Sequence, residues 1–205
     1  MFALVESGTI TQFPKGNKGI TLGDNQYPKS IYSLWTEAER NAIGIYTVEI
    51  NETNRKDETF YINTDITYAF GSGKVTGSYG TATAKAIADV DAVDEDGNKL
   101  KDDDGNQIVI KGLKTQYKEN FNTQAASLLA KTDWYVIKAA DVSDYSVPSN
   151  IATYRAAVRT KVNAMETAID NCANVAALIT LLTYETDSDG NVTTRPLGEF
   201  PDEVI

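Results

Sequence analysis

The sequence predicts an α+β protein: a β-rich N-terminal part followed by a C-terminal antiparallel helical hairpin or small three-helix unit. Three observations predict it. Residues 1–90 are dense in Gly, Thr, Tyr and β-branched residues, with period-two alternation of apolar and polar side chains. From residue 111 the apolar residues recur at steps of three and four. Between the two, "DAVDEDGNKLKDDDGN" (91–106) carries seven acids and two bases, half of the chain's net charge of −10.

In the first part, "FALVE" places apolar residues next to the N-terminus. "GIYTVEI" (44–50) sets Ile45, Thr47 and Glu49 against Tyr46, Val48 and Ile50, the alternation of a strand. Ahead of it, "TEAERNAIG" predicts one short helical turn: Thr36 caps it, Glu39 closes a capping box and Gly44 ends it. "TFYINTDITYAF" (59–70), the turn "GSGK" and the following "VTGSYG" predict a β-hairpin.

Asp-x-Asp-Gly-Asn occurs at 94–98, 102–106 and 187–191. A calcium loop needs Asp at its first position and a bidentate Glu at its twelfth. Aligned on Gly97 these are Ala92 and Asp103; on Gly105, Leu100 and Lys111; on Gly190, Glu185 and Pro196. All three fail. The preferred reading is a tight turn in which Asp bonds its own backbone and Gly takes a positive φ, with an adventitious cation site as the alternative.

The helical part begins with "GLKTQYKENFNTQAASLLAK", where Leu113, Tyr117, Phe121, Gln124 or Ala125, and Leu128 share a face over about five turns. Residues 132–148 read as a break punctuated by Pro148. A second helix starts at Ser149 or Asn150, either of which can cap it, with Ile151, Val158, Val162, Met165 and Ile169 as its stripe. A short third helix follows Asn174 through Val175, Leu178, Ile179 and Leu182. Each narrow stripe must pack on another surface, within the chain or as a seam with another copy. The expected divisions are 1–90, a β-rich docking domain; 91–110, an acidic turn-rich hairpin or linker; 111–183, a helical domain; and 184–205, a C-terminal hairpin and tail.

Composition narrows function. An acidic chain with 29 acids and 19 bases is poorly suited to a phosphate backbone, so no nucleic-acid partner is expected. There is no His and Cys172 is alone, which excludes intrachain disulfides, His-dependent nucleophile pairs and zinc sites built on Cys and His. No metal, cofactor or small-molecule substrate is expected. "MFALVESGTI" lacks the basic and apolar regions of a signal peptide, and "VAALITLL" is too short to span a bilayer, so no membrane partner is expected either.

The junction "LLAKTDWYVIK" (128–138) concentrates the candidate interaction residues. Asp133 follows a helix whose negative end does not favour it, so a cation is expected nearby, from Arg155 or Arg159 one turn apart on the second helix. Trp134 is expected to plug the junction between helices, burying about 250 Å² of surface. A ligand-binding Trp with an acidic partner is the alternative.

"LLAKTDWYVIK…VPSNIATYRAAVR" resembles the C-terminal segment of bacteriophage tail assembly chaperone-like proteins and related tail-fibre proteins, through Leu128, Leu129, Thr132, Asp133, Trp134, Pro148, Tyr154, Arg155 and Arg159. "LWTEAERNAIGIYTV" (34–48) is similar to the start of many small phage virion proteins. Two departures stand out: "YVIKAADV" replaces a polar run after the Trp, and Thr160 follows the second Arg where an acid is usual. The resemblance implies a structural virion protein, an adaptor joining tail, baseplate or fibre subunits, and it brings no catalytic residues. Its expected partners are other tail proteins and further copies of itself, in the virion and, during assembly, in the host cytoplasm. The alternatives are a transient tail or fibre assembly chaperone and, with less support, a tail-associated glycan hydrolase working through two carboxylates.

Overall fold

A computed structural model describes residues 1–204. The strands are β1 (Phe2–Glu6), β2 (Thr9–Gln12), β3 (Ile20–Leu22), β4 (Asn25–Tyr27), β5 (Ile45–Asn51), β6 (Tyr61–Ile62), β7 (Ile66–Gly71), β8 (Lys74–Tyr79), β9 (Thr83–Ala84), β10 (Val90–Asp91), β11 (Val109–Ile110), β12 (Glu185–Thr186) and β13 (Val192–Thr194). The helices are α1 (Ile31–Leu34), α2 (Glu37–Ala42), α3 (Leu113–Ala130), α4 (Asp133–Asp141), α5 (Ser149–Asp170) and α6 (Val175–Leu182). The fold is mixed α+β, β-rich at the N-terminus and helical toward the C-terminus. It divides into two units, one spanning Met1–Thr83 and the other beginning at Ala84.

The first unit is built on a five-stranded sheet in the order β2-β1-β5-β8-β7, antiparallel throughout except for the parallel pair β5–β8. β1 is buried on both faces. Ala3 and Val5 pack with Val48 and Val75 on one side, and Leu4 packs with Ile31 and Ile45 on the other. That explains the unbroken apolar run in "FALVE", since alternation is expected only where one face meets water. Phe13, just past β2, meets Tyr68 of β7 with ring centroids 4.7 Å apart, so the two edge strands approach each other.

The expected capping box is present. Thr36 Oγ1 accepts the Glu39 N–H at 3.3 Å, and the Glu39 carboxylate accepts the Thr36 N–H at 2.7 Å. Gly44 follows α2 at φ +81°, and its carbonyl accepts the Val5 N–H at 2.8 Å. A Cβ at Gly44 would lie 2.7 Å from the Val5 carbonyl oxygen. The hairpin at "GSGK" is β7–β8, turned by Ser72 and Gly73 at φ 52° and 74°. Upstream, the run 59–70 is interrupted: only Tyr61–Ile62 and Ile66–Gly71 are strand.

The second unit starts by capping a helix. Gly112 N–H donates to Asp89 Oδ1 at 2.8 Å, Leu113 N–H to the Ala86 carbonyl at 3.0 Å and Lys114 N–H to the Ile87 carbonyl at 3.0 Å. These are the N–H groups that an α-helix leaves unpaired at its start. A Cβ at Gly112 would lie 2.3 Å from the Ala88 carbonyl carbon, so only glycine lets the two backbones approach this closely. Residues 86–89, which cap α3, thus belong to the unit that begins at Ala84.

The acidic insert forms two hairpin arms on a stem. β10 pairs with β11, Val93 bridges Lys99, and Lys101 bridges Gln107. At the centre, Ala92 N–H donates to the Ile108 carbonyl, Ile108 N–H to Leu100 and Leu100 N–H to Ala92, closing a ring at 2.8–2.9 Å. Each arm ends in an Asp-x-Asp-Gly-Asn turn, and 187–191 makes the same turn between β12 and β13. In all three the first Asp accepts the N–H groups two and four residues on, and the Gly sits at φ +84°. The turn reading describes these segments, and among the described residues no group of three or more acidic or Cys side chains is arranged to hold a metal ion.

The helical part has four helices, because α4 occupies the stretch read from the sequence as a break. α3 packs on α5 around Ala125, Tyr154, Val158 and Val162. The α5 stripe of Ile151, Val158, Val162, Met165 and Ile169 is buried within the chain, part of it under the C-terminal segment. α5 begins at Ser149 with Pro148 at the cap and no side-chain capping bond, unlike the expected Ser149 or Asn150 cap. At α6, Asn174 Oδ1 accepts the Ala177 N–H at 2.9 Å. The C-terminal segment crosses this core with Leu197 buried and Phe200 and Val204 packed on the α3–α5 cluster. Among the described residues no helix is long and apolar enough to cross a membrane.

Candidate functional site

The residues singled out at the α3–α4 junction form a clasp around one guanidinium. Arg155 comes from the first turns of α5 and is 7% exposed, a burial that arginine reaches only when it is paired. Its Nη1 donates to the Leu129 carbonyl at 2.7 Å and to Thr132 Oγ1 at 2.6 Å. Its Nη2 lies 2.8 Å from Asp133 Oδ1. Thr132, itself buried, donates its hydroxyl to the Leu129 carbonyl at 2.9 Å. One cation thus binds a carbonyl in the last turn of α3, Thr132 between the helices and the first residue of α4.

The electrostatics are consistent throughout. The carbonyl end of α3 carries partial negative charge and receives a cation. Asp133 opens α4, where partial positive charge favours a carboxylate. The expectation that Asp133 sits at an unfavourable helix end is therefore corrected: a new helix starts at that residue. Its cationic partner is Arg155, as one of the two expected candidates. Arg159, one turn on, is exposed and takes no part in the clasp.

Trp134 does not plug the junction. Its side chain is 63% exposed, with Lys138 Nζ 5.9 Å from the ring centroid. Because residues 133–141 are helical, Asp133 and Trp134 point about 100° apart, and the clasp takes the carboxylate. Ile137, three residues on, is also exposed at 62%. The two form an apolar strip on the outer face of α4.

Tyr154 is 4% exposed and sits in the α3–α5 cluster with Leu128 and Leu129. Among the described residues its buried hydroxyl has no hydrogen-bond partner. A cavity of about 250 Å³ lies beside it, lined by Lys131, Thr132, Tyr135, Glu203 and Val204. Met165 and Ile169 are buried farther along α5, away from the clasp in sequence.

Two contributors were not singled out from the sequence as clasp groups: the Thr132 hydroxyl and the Leu129 carbonyl. Thr132 could have been found, since a Thr directly before a helix-opening Asp is a common start signal. The C-terminal cover from Leu197, Phe200 and Val204 carried no periodic signal at all.

The chain has no significant match among protein-family models, curated proteins or solved structures.

Proposed function

We propose that this chain is a structural component of a bacteriophage tail, an adaptor that links tail, baseplate or fibre subunits and contacts further copies of itself. Within it, α3 and α5 act as an antiparallel helical hairpin. Lys114 and Lys118, near the start of α3, reach Asp170 at the end of α5, while Leu129 at the end of α3 meets Arg155 near the start of α5. The β-rich unit docks on the particle, and the helical unit presents α4 to a neighbouring subunit.

The observation that supports this reading is how the residues that carry the resemblance to tail proteins are divided. Thr132, Asp133 and Arg155 join in the clasp, and Tyr154 is buried beside them. Trp134 is left outside on the helix that the clasp fixes. A large aromatic held rigidly on the surface is the usual anchor of a protein interface.

Mass spectrometry of purified particles of the phage that encodes this chain tests the proposal. Peptides from it at a level stoichiometric with known tail subunits are expected. Their absence from particles, with abundant signal in the infected-cell lysate, would overturn the structural role and leave the assembly chaperone.

A further inference from the structure

We infer that the groove between α3 and α5 is a peptide-docking surface, and that it takes the C-terminal strap of a second copy as well as the chain's own. The strap is residues 195–204. It goes beyond the tail reading, resting on the helical unit alone.

The strap covers the core without being woven into it. Leu197 is buried, and Phe200 and Val204 rest on the α3–α5 cluster. Polar contacts at its margins come from lysines: Lys161 Nζ donates to the Leu197 carbonyl, and Lys131 pairs with Glu203. No residue of the strap is in a helix or strand. Outside regular elements, its one backbone–backbone hydrogen bond among the described residues is internal, from Gly198 N–H to the Arg195 carbonyl. Spaced apolar anchors and flanking acids against a lysine-edged groove are the chemistry of a bound linear peptide.

The chain leading to the strap contributes no buried residue to the core. Residues 183–196, including the β12–β13 hairpin, are exposed without interruption. Swinging this arm away from its own groove uncovers no fully buried residue along its length, Tyr184 beside Phe121 and Met165 being its nearest approach to the helices. Identical copies carry identical grooves and straps, so the exchanged arrangement repeats every strap contact, which is the condition for domain swapping.

At the strap's end, Glu203 and Val204 line the cavity of about 250 Å³ together with Tyr154. A tethered strap has an effective local concentration of about a millimolar, so the closed monomer prevails in dilute solution. Exchange takes over where copies are gathered at that density, as in any ordered assembly.

The test uses the full chain with Cys172→Ala, Lys131→Cys and Glu203→Cys, joined by a short bis-maleimide between about 10 µM and about 1 mM. An intrachain bridge is expected at low concentration. Covalent dimers should rise with concentration to at least about tenfold above either single-cysteine variant. Intrachain product alone at every concentration would overturn the exchange. A second variant, Leu197→Asp with Phe200→Asp, checks the groove directly, with Phe200→Ala as the milder form if circular dichroism shows lost helix. A labelled peptide of residues 195–205 should bind the released-strap variant and be excluded from the unmodified chain. No binding would overturn the docking surface. Binding without covalent dimers would overturn the second copy as occupant.

Discussion

Arg155 Nη2 stands 2.8 Å from Asp133 Oδ1, and Nη1 of the same guanidinium stands 2.7 Å from the Leu129 carbonyl. These contacts make Arg155 the joint between α3, α4 and α5. The ion pair alone would count for little, because half of the Asp133 side chain is in solvent. The stabilisation lies in the buried bonds to Leu129 and Thr132, whose acceptors would otherwise lose their partner in a dry place.

Replacing Arg155 with Met should therefore lower the unfolding free energy by about 3 kcal/mol, the usual consequence of breaking a buried charged network on one side. Arg155→Lys, which cannot reach all three acceptors at once, should fall between Met and the original. Urea denaturation followed by helicity reads both. A loss under about 1 kcal/mol for the Met variant would mean that the clasp does not hold the junction.

Trp134→Ala should be nearly silent for stability, within about 0.5 kcal/mol, because the ring is mostly in solvent. Helicity and thermal midpoint should match the unaltered chain. A drop of many degrees would show instead that the ring is buried in solution.

Gly112→Ala should be far more damaging than an ordinary glycine substitution at a helix start. The added Cβ meets the Ala88 backbone at 2.3 Å, and that backbone cannot retreat without breaking the bonds that cap α3. The expected loss is about 3 kcal/mol or more, read by thermal denaturation. Asp89→Ala removes only the side-chain acceptor and should be milder, about 1 kcal/mol.

Four carboxyls should make the fold sensitive to acid. Hydrogen bonds from the Thr115 side chain and the Gly112 N–H hold Asp89 below the ordinary carboxylate range. The N–H groups of Asn98, Asn106 and Asn191 do the same for Asp94, Asp102 and Asp187. A group whose folded pKa is depressed stabilises the fold above its unfolded value and ceases to do so as pH falls through the folded one. Stability should be flat above about pH 5 and decline from about pH 4 downward. Urea midpoints across that range test it, and the Asp89→Asn variant should show a shallower decline.

Cys172 is buried at the end of α5, and burial pushes its thiol above the usual range. Alkylation by iodoacetamide at neutral pH should be slow in the folded chain and rapid in urea. Fast modification of the folded chain would show that this region opens readily.

What the sequence made legible followed from periodicity and turn chemistry. The apolar steps along α3 and α5, the Thr36–Glu39 box and the "GSGK" hairpin are local patterns, and each appears in place. The short strands β2, β3 and β4 were not readable, since "TITQ", "ITL" and "NQY" are brief and carry few apolar residues. The Asp133–Arg155 pair could be anticipated from charge alone. The placement of Trp134 could not, because it turns on whether residues 133–141 coil, and "DWYVIKAAD" contains neither Gly nor Pro to decide it. The capping of α3 by residues 86–89 and the cover by 195–204 are long-range events with no periodic trace.

The ring joining Ala92, Leu100 and Ile108 sets a rule for how this protein can change length. Those three positions, like Gly97 and Gly105, recur at intervals of eight. Cutting out residues 93–100 would place Ala92 directly before Lys101, and Ala92 and Ile108 could then exchange both backbone bonds as a plain antiparallel pair. The ladder would heal across the deletion, and α3 would keep its cap. Loss of one whole eight-residue arm should thus leave no unpaired amide at the branch point.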